Sequence, residues 1–224
     1  MPSSPKAVGA LLVIAGSAGF GTVGVAVDGA LAAGFALPTF LALRFALAGG
    51  AAALVASRQP AFRTRPGRPQ LAALGLGVAS IVQTACFFLA LQRVDIALAL
   101  ALHFTLPAIV LALDAARRRR LPAPRESVGC ALALGGVLLV VLGGGMGGAD
   151  PVGLALAAGS GAAYALMVTV QSRILAVLHP AVASAWQFAG LALAWIVACL
   201  VLGEPLSVPG GAGALWLVGI ALAC

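Results

Sequence analysis

Seven apolar segments, each long enough to cross a membrane, recur along this chain of 224 residues. A helix needs roughly 20 apolar residues to span a hydrocarbon core about 30 Å thick. The segments show no polar alternation, so transmembrane helices fit them and the strands of a β-barrel do not. We therefore predict an all-α, polytopic transmembrane helix bundle. The segments occupy residues 7–27, 37–56, 71–91, 96–115, 127–145, 151–171 and 181–202, and an eighth occupies 213–224.

The composition excludes several other classes of protein. Only 8% of the residues are charged, against about 25% in a typical soluble domain, so the expected solvent is a lipid bilayer. The net charge of +7 does not indicate nucleic-acid binding, because the charges follow the gaps between segments and not one face. Neither a disulfide framework, a metal site nor another cofactor is expected, because the cysteines are scattered and no CxxC occurs. They are Cys86, Cys130, Cys199 and Cys224.

The basic residues predict the orientation of the chain. Of the 13 Lys and Arg residues, all but Arg44 and Arg93 lie before the first segment or in the even-numbered gaps. The positive-inside rule then places the N-terminus and the even gaps in the cytoplasm, in a multi-pass protein of the cell membrane. The run Arg117–Arg120 is interpreted as a topogenic loop that meets anionic lipid, with a specific lipid or regulatory site as the alternative. Asp114 is expected to pair with these arginines.

The chain aligns with itself at an offset of 143 residues. This offset equates Ala15–Ser17 with Ala158–Ser160 and Arg44–Ala46 with Gln187–Ala189. Five segments separate the starts of the two copies, so the second copy has to be inverted in the membrane. Inverted repeats are typical of secondary transporters, which bind their substrate near the midplane. Five helices per repeat predict ten in all, with a first repeat at 7–145 and a second at 151–224 that stops inside helix 8.

Several diffuse motifs run along the whole chain and together point to a known family. They are Gly16–Val27, Arg44-Phe45, Ala97–Pro107, Gly129 with Gly135-Gly136-Val137, and Gly153–Arg173 with its Ala163-Tyr164 pair. In these motifs the chain resembles EamA-type transporters of the drug/metabolite transporter superfamily. The resemblance implies ten helices and movement of a small metabolite or drug by alternating access. It departs at Arg119, where the family usually has a glutamate, so no role of that glutamate is carried over.

Arg44 is the sharpest candidate for a substrate contact. A charge inside a membrane helix is costly unless it faces protein or water. Arg44 lies about 10 Å from the outer end of its helix at 1.5 Å per residue, where it suits a substrate carboxylate. A structural arginine that bonds backbone carbonyls or snorkels outward is the equally weighted alternative. Its repeat counterpart Gln187 is a second candidate, with hydrogen bonding between helices as the more common role.

His103 and Pro107 are four residues apart and share one face of the fourth segment. Proline has no N–H to donate to the carbonyl of residue 103, so we predict a kink there and a hinge at Pro107. The imidazole beside this kink is a candidate substrate contact or proton relay. A hydrogen-bonded packing histidine is the alternative.

Three further side chains are weaker candidates for lining a cavity. Gln83 and Tyr164 lie in the middle of their segments, and Trp186 is alternatively an anchor at the membrane interface. A stripe of small residues on the sixth segment is interpreted first as a helix-packing surface. Its members are Gly153, Ala157, Gly161 and Ala165.

We therefore expect a secondary transporter that carries a small metabolite or drug by alternating access, with export as the direction. The runner-up is a truncated membrane protein, or a structural partner, that does not transport. An enzyme is not expected, because no set of nucleophile, base and carboxylate and no phosphate-binding loop occurs. Proton coupling depends on His103, and a homodimer is left open.

Overall fold

The computed structural model describes residues 11, 14, 16, 18–19, 22–63, 65–143, 149–211 and 214. Within these ranges the regular elements are all helices, which confirms the predicted all-α class. Nine helices are defined there: α1 Val23–Ala32, α2 Leu37–Ala56, α3 Pro60–Arg63, α4 Arg68–Leu91, α5 Ile96–His103, α6 Leu106–Arg118, α7 Pro124–Gly143, α8 Pro151–Leu175 and α9 Pro180–Leu202.

Five membrane-length helical stretches confirm that this is a multi-pass membrane protein. They are Leu37–Ala56, Arg68–Leu91, Ile96–Arg118, Pro151–Leu175 and Pro180–Leu202, and they match the second, third, fourth, sixth and seventh predicted segments. Helix α7 covers the fifth segment as far as Gly143, and α1 continues past the predicted end of the first segment at Val27 to Ala32. About half of the first segment and nearly all of the eighth lie outside the described residues.

The chain forms two compact units. The terminal unit comprises Met1–Pro66 and Pro180–Cys224, and the central unit comprises Gly67–His179. Each unit therefore takes helices from both of the predicted repeats. The units are defined by which helices pack together, whereas the repeats are defined by which helices are equivalent in sequence. The units therefore do not test the repeat boundaries, which stay a prediction.

In the terminal unit, α2 and α9 run antiparallel. Near the start of α2, the Thr39 hydroxyl donates to the Pro205 carbonyl at 3.0 Å and lies 4.0 Å from the Cys199 sulfur, close to the end of α9. Further along α2, a Cβ at Gly49 would lie 3.4 Å from the Cβ of Phe188, which is near the start of α9. These are the two helices that the 143-residue offset equates.

In the central unit, α8 packs against α4, α5 and α6. All four small residues of its stripe are buried, which confirms their interpretation as a packing surface. A Cβ added at Gly153 would lie 2.7 Å from Val94 Cγ1, and one added at Gly161 would lie 2.8 Å from the His103 carbonyl oxygen. Glycine at these two positions therefore lets α8 approach the α4–α5 turn and the end of α5 more closely than any other residue would.

The fourth predicted segment is divided into two helices, as the kink prediction required. Helix α5 ends at His103 and α6 begins at Leu106, with Pro107 as its second residue. Proline cannot supply the N–H that would continue the helix across this point. The Thr105 hydroxyl donates to the Leu102 carbonyl at 2.8 Å, as Ser and Thr side chains do at breaks in membrane helices.

Two ion pairs lie at the ends of the central unit. Arg93, in the α4–α5 turn, donates to Asp150, which precedes α8, at 3.0 Å. These two gaps therefore lie on the same side of the membrane, and the Arg93 guanidinium, with the Val152 amide, lowers the pKa of the Asp150 carboxyl. Arg118 pairs with Asp114 at 2.8 Å, one helical turn earlier. This confirms the predicted role of Asp114.

Candidate functional site

A buried polar pair lies at the break between α5 and α6. His103, the last residue of α5, and Ser160, in the middle of α8, are both 0% exposed. The Nδ1 atom of His103 lies 2.9 Å from Ser160 Oγ. Burying polar groups of this kind is costly without a hydrogen bond. The 2.9 Å contact therefore stabilises both side chains in their apolar surroundings.

Aromatic rings enclose the imidazole. The ring centroid of Phe87 on α4 lies 4.7 Å from that of His103, and Phe104 lies edge-on at 5.8 Å. Tyr164, one turn after Ser160 on α8, stacks on the imidazole at 5.4 Å with 17° between the planes. We call His103, Ser160, Tyr164 and Phe87 the His103 cluster. Of its members only Tyr164 is half-buried rather than buried, so its ring is the part of the cluster nearest to the surroundings.

Gln83 belongs to a polar face of α4 in the same unit. It lies one turn before Phe87 and is 8% exposed. Its neighbours on this face are also buried: the Ser80 hydroxyl donates to Leu76 O at 2.7 Å, and the Thr84 hydroxyl donates to Ser80 O at 3.1 Å. The structure thus joins His103 and Tyr164 directly and places Gln83 on the helical face that carries Phe87.

Arg44 is buried in the terminal unit. It is the eighth residue of α2 and is 4% exposed. Its guanidinium carbon lies 5.0 Å from the centroid of the Phe45 ring, a distance at which a cation is attracted to an aromatic face. Phe45 stacks in turn on Phe188 of α9, with centroids 6.3 Å apart and 21° between the planes. Arg44 is therefore held inside protein and does not snorkel outward. A substrate contact and a structural arginine that bonds backbone carbonyls both remain predictions.

Trp186 and Gln187 directly precede Phe188 on α9, and both are half-buried. The Nε1 atom of Trp186 is buried, and no described residue accepts a hydrogen bond from it. A tryptophan at the membrane interface keeps this nitrogen at the wet end of the ring. The burial of Nε1 does not match an interfacial anchor, and the cavity-lining role of Trp186 stays a prediction.

Sequence reasoning missed Ser160, Phe87 and Phe104. Phe87 and Phe104 carry no signal that separates them from ordinary apolar residues of a membrane helix. Ser160, in contrast, closes the Ala158–Ser160 motif that the 143-residue offset equates with Ala15–Ser17. A polar residue in a repeated motif was a signal for a site residue. Among the described residues, no group of three or more His, Cys, Asp or Glu side chains is arranged to hold a metal ion.

Comparison with known proteins identifies the family. Residues 7–142, more than half of the chain, match the EamA-like transporter family. No curated protein matches the chain. A solved crystal structure of a protein has a TM-score of 0.69 with 21% sequence identity, and the alignment covers 95% of this chain and 73% of that one. At this identity the likeness shows the fold alone. The chain, by its match over residues 7–142, belongs to the EamA-like transporter family.

Proposed function

We propose that this protein is a secondary transporter that carries a small polar metabolite or drug across the cytoplasmic membrane by alternating access. The carrying observation is the His103 cluster, a hydrogen-bonded polar pair inside a bundle of membrane-length helices. Polar and ionisable residues are rare within membrane spans and mark the pathways of substrates and ions. Membership of a transporter family supports the same function.

We assign the substrate contacts of the central unit to Tyr164 and Gln83, with His103 behind them. Tyr164 is half-buried, whereas the imidazole that it covers is 0% exposed. A phenol and an amide both donate and accept hydrogen bonds, so they suit a polar, uncharged part of a substrate. While the Tyr164 ring covers the imidazole, His103 acts by holding that ring through the stacking contact at 5.4 Å.

In the terminal unit, we propose Arg44 as a contact for an anionic ligand group. Guanidinium groups form strong, paired hydrogen bonds with carboxylates and phosphates. The buried position of Arg44 strengthens such a contact, because the local dielectric constant is low. Trp186 and Gln187 are proposed as further lining residues, and the buried indole nitrogen of Trp186 supports this.

Alternating access needs an element that changes its angle, and we propose Pro107 as the hinge. The break at Phe104–Thr105 separates α5 from α6, and this supports separate tilting of the two halves of this span. The antiparallel contact between α2 and α9 supports an inverted repeat, since these helices are equivalent under the 143-residue offset. Two inverted halves give the inward-open and outward-open states related geometries.

The proposed orientation has the N-terminus in the cytoplasm. Arg93 is the one basic residue in an odd-numbered gap, and its charge is compensated by Asp150. With this pairing, the proposed outer side carries little uncompensated positive charge, as the positive-inside rule requires. Reporter fusions at residue 120 should show a cytoplasmic location, and an external location there would reverse the proposed topology.

The test begins with a screen for compounds that raise the melting temperature of the purified protein. Each stabilising compound is then followed in proteoliposomes with and without a pH gradient, in both vesicle orientations, to measure transport, its direction and its coupling. Tyr164→Phe and Gln83→Ala should weaken transport. Leu166→Ala, two residues from Tyr164 on an exposed part of α8, should not weaken it.

Several outcomes of this test would contradict parts of the proposal. If no compound stabilises the protein or is transported, the interpretation as a non-transporting membrane protein is favoured. Uptake that is faster than efflux would contradict export as the direction. Unchanged, pH-dependent transport by a His103→Ala variant would exclude coupling of protons through this histidine.

A further inference from the structure

We propose that Ser160 is a positioning residue that holds His103 in its Nδ1–H tautomer, so that the group recognised by this histidine is a hydrogen-bond donor. Such a group is an ammonium, an amide N–H or a hydroxyl of the substrate. The first half of the proposal stands on geometry alone. The second half, the class of substrate group, rests on the proposed transport function.

The Ser160 hydroxyl makes two close contacts but has one proton. Its Oγ lies 2.7 Å from the Ala157 carbonyl oxygen and 2.9 Å from Nδ1 of His103. A carbonyl oxygen only accepts, so the contact with Ala157 is a hydrogen bond only if the serine donates to it. The serine oxygen is then left as an acceptor toward His103. Both contacts are hydrogen bonds when Nδ1 carries the proton, and in no other neutral arrangement.

The opposite tautomer would be costly in this place. If Nε2 carried the proton, Nδ1 would need the serine proton, and the Ser160 and Ala157 oxygens would face each other at 2.7 Å without a proton between them. Ala157 and Ser160 are both buried, so the repulsion between two oxygens in contact is less screened there than in water. The imidazole also has little freedom to turn away, because it lies between the rings of Phe87 and Tyr164. The Nδ1–H tautomer is therefore the stable one.

This tautomer determines what Nε2 can bind. In the neutral ring Nε2 has a lone pair and no proton, so it accepts a hydrogen bond and repels a carboxylate or phosphate oxygen. The faces of the neighbouring Phe87 and Tyr164 rings also favour cations and N–H groups over anions. Because the imidazole is 0% exposed, a substrate reaches it only after a neighbouring ring moves. Tyr164 is the half-buried member of the cluster, so we assign this movement to its ring. Once the Tyr164 ring has moved aside, His103 thus binds hydrogen-bond donors of a substrate in preference to anionic groups.

The tautomer can be measured directly by nitrogen NMR. The chain contains two histidines, so the variant His179→Asn leaves His103 as the sole histidine signal in full-length protein with ¹⁵N-labelled histidine. The two ring nitrogens of a neutral histidine have well-separated shifts that show which one carries the proton. At a pH where titration shows the ring to be neutral, we expect protonated Nδ1 and unprotonated Nε2. A protonated Nε2 would overturn the proposal without any variant of Ser160.

Serine variants then test the cause. Ser160→Ala should shift the population toward protonated Nε2, whereas Ser160→Thr, which keeps the hydroxyl, should retain protonated Nδ1. Ser80→Ala is the matched control, since Ser80 is a buried serine of the same unit that also donates to a backbone carbonyl. It should leave the His103 spectrum unchanged. If Ser160→Ala leaves the His103 spectrum of the His179→Asn protein unchanged, Ser160 does not set the tautomer.

The substrate half is tested with a transported compound and its N- or O-methylated analogues, which lack the donor. Each analogue that has lost the critical donor should bind about tenfold more weakly, the usual consequence of losing one buried hydrogen bond. The loss should be small in His103→Ala. If the analogues bind equally well while the tautomer is as proposed, the recognition step is wrong and the tautomer stands. If no compound is transported at all, the function fails and the NMR result is unaffected.

Discussion

Replacement of Gly161 by alanine should destabilise the central unit, although alanine is the better helix former. Gly161 lies in the middle of α8, where its backbone passes the end of α5. The new Cβ would lie 2.8 Å from the His103 carbonyl oxygen and 3.2 Å from that of Leu102. Both are backbone atoms that cannot turn away as a side chain does. The two helices would have to separate for the methyl group to fit.

The magnitude follows from two opposing terms. Glycine in a helix is destabilising by roughly 0.5–1 kcal/mol relative to alanine, so the substitution gains that amount. Overpacking by one carbon in a close-packed contact costs typically about 1–3 kcal/mol. A Cβ added at Gly159, two residues earlier on α8, would meet no described neighbour within 4 Å, so Gly159→Ala retains the gain without the cost. We expect Gly161→Ala to be less stable than Gly159→Ala by about 1–3 kcal/mol.

The assay is denaturant unfolding of both variants and the parent protein in the same detergent, followed by circular dichroism and tyrosine and tryptophan fluorescence. Gly159→Ala should unfold at a slightly higher denaturant concentration than the parent protein, and Gly161→Ala at a lower one. Both variants gain the same helix propensity, so the difference between their free energies of unfolding reports the contact of residue 161 with α5. Equal stability of the two variants would refute the close approach of α8 to His103.

Two further predictions concern contacts outside the His103 cluster. A double-mutant cycle of Phe45→Ala and Phe188→Ala, measured by unfolding, should give a coupling of about 0.5–1.5 kcal/mol for the stacked rings, and a coupling near zero would contradict the contact between α2 and α9. Arg93→Gln should raise the pKa of Asp150, since Arg93 is the main cause of its lowering. The ion pair stabilises the folded state at any pH above the ordinary pKa of an aspartate carboxyl. This stabilisation is lost as the pH falls through the lowered pKa of Asp150 in the folded state. The melting temperatures of variant and parent should therefore converge in acid, with a small difference at neutral pH because the pair is exposed.

The sequence predicted the elements well because each prediction depended on local chemistry. Membrane spans follow from apolar length, the break in the fourth span follows from the missing N–H of Pro107, and the pairing of Asp114 with Arg118 follows from a spacing of one helical turn. The small-residue stripe of α8 was also readable, since glycine and alanine every four residues form one flat face.

The partners of the candidate site residues were not readable, because they depend on which helices meet and at what height. His103 was a candidate on its own, but its contacts come from α4 and α8, whose residues are tens of positions away in the chain. Tyr164 was predicted as a lining residue without its stacking partner. Ser160 was passed over as one small residue among many, since serine often bonds its own helix. No local pattern distinguishes a serine that bonds only its helix from one that also bonds a histidine.

The proposed hinge at Pro107 and the His103 cluster are parts of one arrangement. Ser160 and Gly161 are consecutive on α8, and both contact His103: the serine hydroxyl meets the imidazole, and the glycine backbone meets the carbonyl. That carbonyl is the one whose helical donor Pro107 has removed, so the break that separates α5 from α6 also leaves the carbonyl against which Gly161 packs. A tilt of α5 against α8 would then disturb both contacts of His103 at once. In the proposed transport cycle, opening at the hinge and release of the imidazole from Ser160 would therefore occur in the same step.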